Sequence, residues 1–399
     1  VGATIIDGTG RAPMVDGVVV VQDGTIAAVG PASRVTIPEG AERVPVAGRT
    51  LMPGLVNTHG HVGGTSGLKS GSEFSTEVNV RRQLELYARY GVTTVVSLGD
   101  DGEAGFRARD GNGAADLQRA RILVAGPVIT ARNPEEARAA VTTVADLRPD
   151  FIKIRVDDNL GTVEKMPPEA YRAVIDQAHS RGLRVAAHVY YLADANALVR
   201  AGADFIAHSV RDHDVDAEFI DLMKARNVCL SPTLMREVST FVYESRPAFF
   251  DDPFFRRDAE PAVVRELESP AYQERVRKSR AAQLYKHALD VARRNVKALS
   301  DAGVGLASGT DTGPPARFQG YFEHLELEQF VTAGLTPMQA IVVATGDAAR
   351  CVGIADRVGT LQVGRRADLL VLGRNPLDDI ANTRTLESVW INGNRVPAR

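Results

Sequence analysis

The sequence predicts an α/β fold: a (β/α)8 barrel of the TIM type, joined to a small β-sandwich domain that both termini build. Three observations carry this reading. From residue 51 onward, short apolar runs alternate with helical stretches through eight units. Both ends are β-rich instead, with hairpin and turn signals. The length of 399 residues, 44% hydrophobic and 24% charged, accommodates one large barrel and a satellite domain.

Residues 1–50 open the discontinuous sheet domain. The apolar run 18–21 meets the turn Gln22-Asp23-Gly24-Thr25, and a second run, 26–29, completes a hairpin. Pro38-Glu39-Gly40 and Ala47-Gly48-Arg49 are further turns. The barrel is expected over 51–354, with strands at 51–58, 92–98, 122–125, 151–156, 184–188, 203–208, 228–231 and 304–308. Helices are expected between them, including 76–90, 134–147, 168–181, 192–201 and 217–226. Gly91, Gly182 and Gly202 each follow a helix, where a C-terminal cap favours glycine. The seventh unit carries an insertion at 232–288, rich in charges and in aromatics such as Phe241, Tyr243, Phe249, Phe250 and Phe255. It reads as a loop and helical arm over the barrel mouth, or alternatively as a contact in the homo-oligomer expected of the chain. Residues 355–399 return to strand patterns and complete the N-terminal sheet.

Composition narrows the function. A net charge of −3 argues against a nucleic-acid partner, and no apolar run approaches a membrane span. Cys229 and Cys351 form no metal or redox motif and read as buried small hydrophobes rather than a disulfide. The chain begins at Val1 as if midway through a strand, so a removed leader stays open. The compartment is correspondingly unknown, with the cytoplasm as default and export after signal cleavage as the alternative.

A metal site is legible at the strand ends. In Asn57-Thr58-His59-Gly60-His61, alternate strand residues point the same way, so both histidines can face one point. Barrel enzymes build their active sites at the C-terminal ends of the strands. Strand four carries Lys153, strand five ends in His188, strand six in His208, and Asp311 follows strand eight. Histidine nitrogen and carboxylate oxygen suit Zn²⁺, with Mn²⁺ or Co²⁺ as substitutes. Lys153 is the odd member. Flanked by apolar residues in Phe151-Ile152-Lys153-Ile154, its amine is expected to become neutral on burial. It can then take up CO₂ as a carbamate (N6-carboxylysine), an oxygen ligand able to bridge two metals.

These segments, with Pro53-Gly54-Leu55-Val56, Ala207-His208-Ser209, Ser308-Gly309-Thr310-Asp311-Thr312 and Gly364-Arg365-Arg366-Ala367-Asp368-Leu369, resemble the amidohydrolase superfamily over essentially the whole chain. The order and spacing look most like its imidazolonepropionase and Xaa-Pro dipeptidase branch. The resemblance implies that His59, His61 and Asp311 hold one metal, that His188 and His208 hold a second, and that carboxylated Lys153 bridges them. It implies a hydroxide between the metals as nucleophile, Asp311 as general base then acid, and Tyr190 polarising the scissile carbonyl with the second metal. Two departures matter. Tyr191 stands where superfamily deaminases carry a glutamate, which argues against deamination. The segment after strand three, Gly126-Pro127-Val128-Ile129-Thr130-Ala131-Arg132-Asn133, lacks the branch's histidine, so the substrate pocket differs.

Arg211, His213, Arg236 and His324 follow strand ends and are candidate substrate contacts; a surface ion pair is the plainer fate of either arginine. His179 and His287 read as structural or exposed. The expected activity is metal-dependent hydrolysis of a C–N bond in a small linear amide: an N-acyl amino acid, a dipeptide or an aryl amide. A cyclic amide or carbamate hydrolase is the alternative, and a non-catalytic binding protein on the same fold is the alternative from another class.

Overall fold

A computed structural model describes residues 1–398. Seven parallel strands alternate with helices: Leu55–Gly60, Val92–Ser97, Arg121–Val124, Ile152–Arg155, Val185–His188, Phe205–Ala207 and Cys229–Ser231. Most are buried on both faces, as expected where helices cover a parallel sheet. Three pair in one sheet and four in another. Isolated bridges continue the pairing: Ile129 with Ile154, Leu230 with Leu306, and Gly60 with Thr312. The expected eighth strand, 304–308, is not a regular strand. It pairs through single contacts, with the Ala307 N–H donating to the Leu230 carbonyl and the Thr58 N–H to the Ser308 carbonyl. Just beyond it Asp311 turns to φ +56°, so the extended run cannot propagate.

The helices match their expected positions because each has a stop signal and an apolar stripe. Glu77–Arg89 starts at Thr76, whose side chain accepts from the Asn79 N–H, and buries Val80, Leu84, Tyr87 and Ala88 at helical spacing. Leu192–Ala201 ends on Gly202 at φ +107°, a left-handed cap. A helix at Glu103–Asp110, absent from the sequence reading, follows the second parallel strand.

The expected single strand 51–58 is two strands. Thr50–Pro53 pairs with Leu369–Leu372 in the terminal sheet, whereas Leu55–Gly60 pairs with Val92–Ser97. The break is Gly54, where a Cβ would lie 2.2 Å from the Thr93 hydroxyl. The strands from both termini form one seven-stranded sheet. Its β-hairpin folds back so that the Ile26 N–H donates to the Arg365 carbonyl, enclosing Ile5, Ile26, Leu51, Leu369 and Val371. Asp368 on it pairs with buried Arg121 at the start of the third parallel strand, tying the two units together.

The 232–288 arm consists of short helices, and from Arg280 it runs into the long helix Arg280–Asp301. Its aromatics pack inward on Tyr90, Tyr321 and Phe322, and the Tyr90 hydroxyl donates to the carbonyls of Phe254 and Phe255. Phe250 and Phe255 are therefore intramolecular core, not a free contact surface. Among the described residues no helix is long and apolar enough to cross a membrane. The expectation for the cysteines is corrected: Cys229 and Cys351 form a disulfide, with Cα atoms 5.8 Å apart across 122 residues of sequence. Both are buried, as expected, but the fold brings them to one point.

Candidate metal centre

His59, His61, His188 and His208 stand at or just beyond the C-terminal ends of their strands, Lys153 lies within Ile152–Arg155, and Asp311 follows the extended run 304–308; the fold brings them together. The Nε2 of His61 lies 2.9 Å from Oδ1 of Asp311, and that of His59 3.7 Å from the same oxygen. The ligand atoms of these three residues all lie within 4.8 Å of one another. Beside them, Nδ1 of His188 faces Nε2 of His208 at 2.9 Å. The rings of His59 and His208, 4.6 Å apart, join the two groups. Lys153 stands among them, close enough for its charge to act on all four histidines.

An outer ring of polar groups orients the inner one. Nδ1 of His61 pairs with the Gly99 carbonyl at 3.2 Å, Nε2 of His188 with Asp157 at 2.7 Å, and Nδ1 of His208 with the Thr233 hydroxyl at 2.6 Å. Each contact leaves the other ring nitrogen facing inward. Arg317 donates to Oδ2 of Asp311 at 2.5 Å, so Oδ1 stays turned to the histidines. His208 at φ +88° and Asp311 at φ +56° both hold left-handed backbone that non-glycine residues seldom adopt. Strain of this kind persists where surrounding structure over-determines the site.

Electrostatics set the donor set up for a cation. Burial pushes His59 well below the usual histidine range, and the Lys153 charge adds to this. Burial does the same to His208, followed by the His188 charge, and takes His188 down to about 3 against the opposing pull of Asp157. All three are neutral, with lone pairs available. Burial also lowers His61, but the hydrogen bond and charge of Asp311 outweigh it and raise the ring. Asp311 stays ionised: burial opposes its charge, and Arg317, His61 and His59 prevail. Burial brings the Lys153 amine down to about 7, and its Nζ has no hydrogen-bond partner. Nδ1 of His59 is likewise buried and unpartnered. Unpaired buried polar atoms within a cluster of neutral imidazoles and a carboxylate fit divalent cations.

The other sequence candidates are dispersed. Tyr190 is buried and its phenol is pushed up to about 12, chiefly by burial. Its ring lies 4.8 Å from the Arg211 guanidinium and 6.1 Å from the Tyr285 ring. Two expectations are corrected. Arg211 is neither a surface ion pair nor free for substrate: fully enclosed, it pairs with Glu237 and donates to the carbonyls of Val189 and Ser209. His324 does not reach the mouth; its ring is buried between the Tyr90 carbonyl and the Thr383 hydroxyl, with Phe254 edge-on. His213 is exposed and paired with Asp212 at 2.8 Å. Arg236 is buried beside Glu237. Of the residues the sequence reading missed, Asp157 had a signal, an acid just past a strand end. Arg317, Thr233 and Glu237 had none, because only the folded loops bring them to the centre.

The amidohydrolase family model matches residues 50–396. The ochratoxinase of Aspergillus niger is 26% identical over 449 aligned positions, covering 98% of this chain and 84% of that protein. An imidazolonepropionase of Deinococcus deserti is 38% identical over a shorter stretch, a quarter of each chain. Among solved structures, a candidate prolidase of Bifidobacterium longum superposes with a TM-score of 0.78 at 26% identity, over all of this chain and 95% of the other. A Xaa-Pro dipeptidase with bound methionine does so with a TM-score of 0.80 at 22% identity, over all of this chain and 98% of the other. The strand-end ligands, the terminal sheet and these likenesses run the length of the molecule, and the chain belongs to the amidohydrolase family.

Proposed function

We propose that the protein is a dinuclear-metal hydrolase of linear amides, on a closed eight-stranded barrel, with N-acyl amino acids, dipeptides or aryl amides as substrates. The observation that carries this reading is the convergence of His59, His61, Lys153, His188, His208 and Asp311 at one set of strand ends. The chain of strand pairings that returns from Thr312 to Gly60 supports the barrel. Relatives named for a Xaa-Pro dipeptidase and a phenylurea hydrolase support C–N cleavage.

His59, His61 and Asp311 would hold one divalent ion, most suitably Zn²⁺, and His188 with His208 a second, Lys153 bridging as its carbamate. Bound there, the ions supply an activated water and polarise the scissile carbonyl. The chain's own residues do the rest. Asp311, ionised and fixed by Arg317, accepts the water's proton at a carboxylate oxygen and returns it to the departing amine. Tyr190 is the candidate donor to the developing oxyanion. Asp157 holds the His188 ring in place.

Chelation should abolish hydrolysis of an amide panel, and Zn²⁺, Mn²⁺ or Co²⁺ should restore it. A metal-loaded protein that cleaves none of the panel would sink the reading, and preferential opening of lactams, hydantoins or carbamates would favour cyclic substrates. Asp157→Asn should weaken metal affinity about 10–100-fold, measured by chelator competition. Metal loading should also climb with pH through about 7, because the Lys153 amine must be neutral to take up CO₂. Equal metal content on both sides of that value would argue against the carbamate.

A further inference from the structure

The helix Tyr321–Thr332 carries two carboxylates into the interior, Glu323 and Glu326, at 3% and 0% exposure. Their spacing of three sets them on one face of the helix. Burying a carboxylate costs free energy that its hydrogen bonds must offset. The partners of the two are therefore informative. Oε1 of Glu323 accepts from Nδ2 of Asn57 at 2.6 Å and from the hydroxyls of Thr310 and Thr312 at 2.8 and 2.7 Å. Asn57 in turn accepts the His59 N–H at 2.9 Å. Thr310 and Thr312 flank Asp311, so one oxygen ties down both neighbours of the residue that turns to φ +56°. The Oε2 of Glu323 is buried without a partner. All three side-chain donors to Glu323 thus come from the two segments that carry His59, His61 and Asp311.

Glu326, about one turn further on, reaches the other half of the centre. Its two oxygens accept the backbone N–H groups of Leu234 and Met235, each at 2.7 Å. These residues directly follow Thr233, which holds left-handed backbone at φ +53° and meets Nδ1 of His208 at 2.6 Å. A left-handed threonine is a costly conformation that its surroundings must hold in place. The carboxylate of Glu326 fastens the chain immediately beyond it, and with it the hydroxyl that orients the His208 ring.

We infer that Glu323 and Glu326 are positioning residues of the metal centre, each for a different ion. Glu323 fixes the group His59, His61 and Asp311, and Glu326, through Thr233, fixes His208. This rests on the dinuclear reading above and deepens it, because a single helix then sets the two ligand groups against one another. The bonding also separates the two residues. Glu323 uses one oxygen for side-chain donors, whereas Glu326 uses both for backbone N–H groups, so an amide in place of the Glu326 carboxylate would set an N–H against an N–H.

The test is a zinc titration of the metal-free protein against a competing chelator, with the ring signals of isotope-labelled histidines read by NMR before zinc is added. The wild type should take up two ions. Glu323→Ala should weaken one binding step about 10–100-fold and shift chiefly the rings of His59 and His61. Glu326→Gln should weaken the other step by a similar factor and shift chiefly His208 and its neighbour His188. The double variant should weaken both steps, each by the amount seen singly. Where a glutamate variant does not fold, Thr312→Val and Thr233→Ala each remove one hydroxyl from the same two arms and should divide the two steps in the same way. Variants of both arms that weaken the same step, both steps alike or neither overturn the inference. A wild type that binds a single ion would reject the dinuclear reading instead. Histidine signals that still divide between the two arms would then keep the positioning roles, and signals that shift together would end them as well.

Discussion

Replacing Asp311 with asparagine is expected to lower kcat by about 10³–10⁴-fold while the far-UV circular dichroism stays that of the wild type. The reason is that one side chain faces two ways. Its Oδ1 lies 2.9 Å from His61 and its Oδ2 is held by Arg317. Asparagine keeps the shape but offers no carboxylate to take a proton. The strand pairings around the site run through backbone groups and do not depend on that charge, so the fold survives. Metal content is measured on the same samples. If an Asp311→Asn variant with full metal content turned over at the wild-type rate, the proton-transfer role would be wrong.

Breaking the Cys229–Cys351 disulfide is expected to reduce unfolding stability by about 5 kcal/mol, from the entropy of closing so long a loop. The bridge spans 122 residues and joins the start of the seventh parallel strand to the helix Gly346–Cys351. Cys229 opens that strand, whereas Thr233, which touches His208, lies beyond its other end. Reduction should therefore lower the denaturant midpoint without changing kcat at a temperature where the protein stays folded. Urea melts with and without reductant, and of the Cys229→Ala variant, measure this. Coincident midpoints would show that the bridge contributes nothing, and a parallel loss of kcat would show that the two ends of the strand are coupled.

The candidate ligands were legible because each is a local event, a histidine or aspartate at or past the end of an apolar run, or a lysine inside one. The helices were legible for the same reason, since caps such as Thr76 and Gly202 act within a turn. What escaped depends on residues distant in sequence. The disulfide needs the fold to bring Cys351 under Cys229. Arg317 reaches Asp311 from a loop, and Glu237 is shared by two arginines that looked like surface groups. The expected strand 304–308 failed because polar residues and a left-handed turn at Asp311 follow at once, and the site needs that turn more than the sheet needs the strand. His324 was misplaced because sequence position after a strand end says nothing of which way a helix turns its side chains; here it faces Tyr90.

The break at Gly54 also sets an order of events. Thr50–Pro53 and Leu55–Gly60 run on from one another, so the stretch that delivers His59 and His61 is clamped upstream by the terminal sheet. Half of that clamp, Leu369–Leu372, is made only after the strands of the barrel. A ribosome that has released residues 1–368 has exposed all six candidate ligands, yet the segment carrying the first two still lacks its antiparallel neighbour. The segment that carries His59 and His61 thus gains this sheet neighbour only once Leu369–Leu372 has followed the barrel strands out.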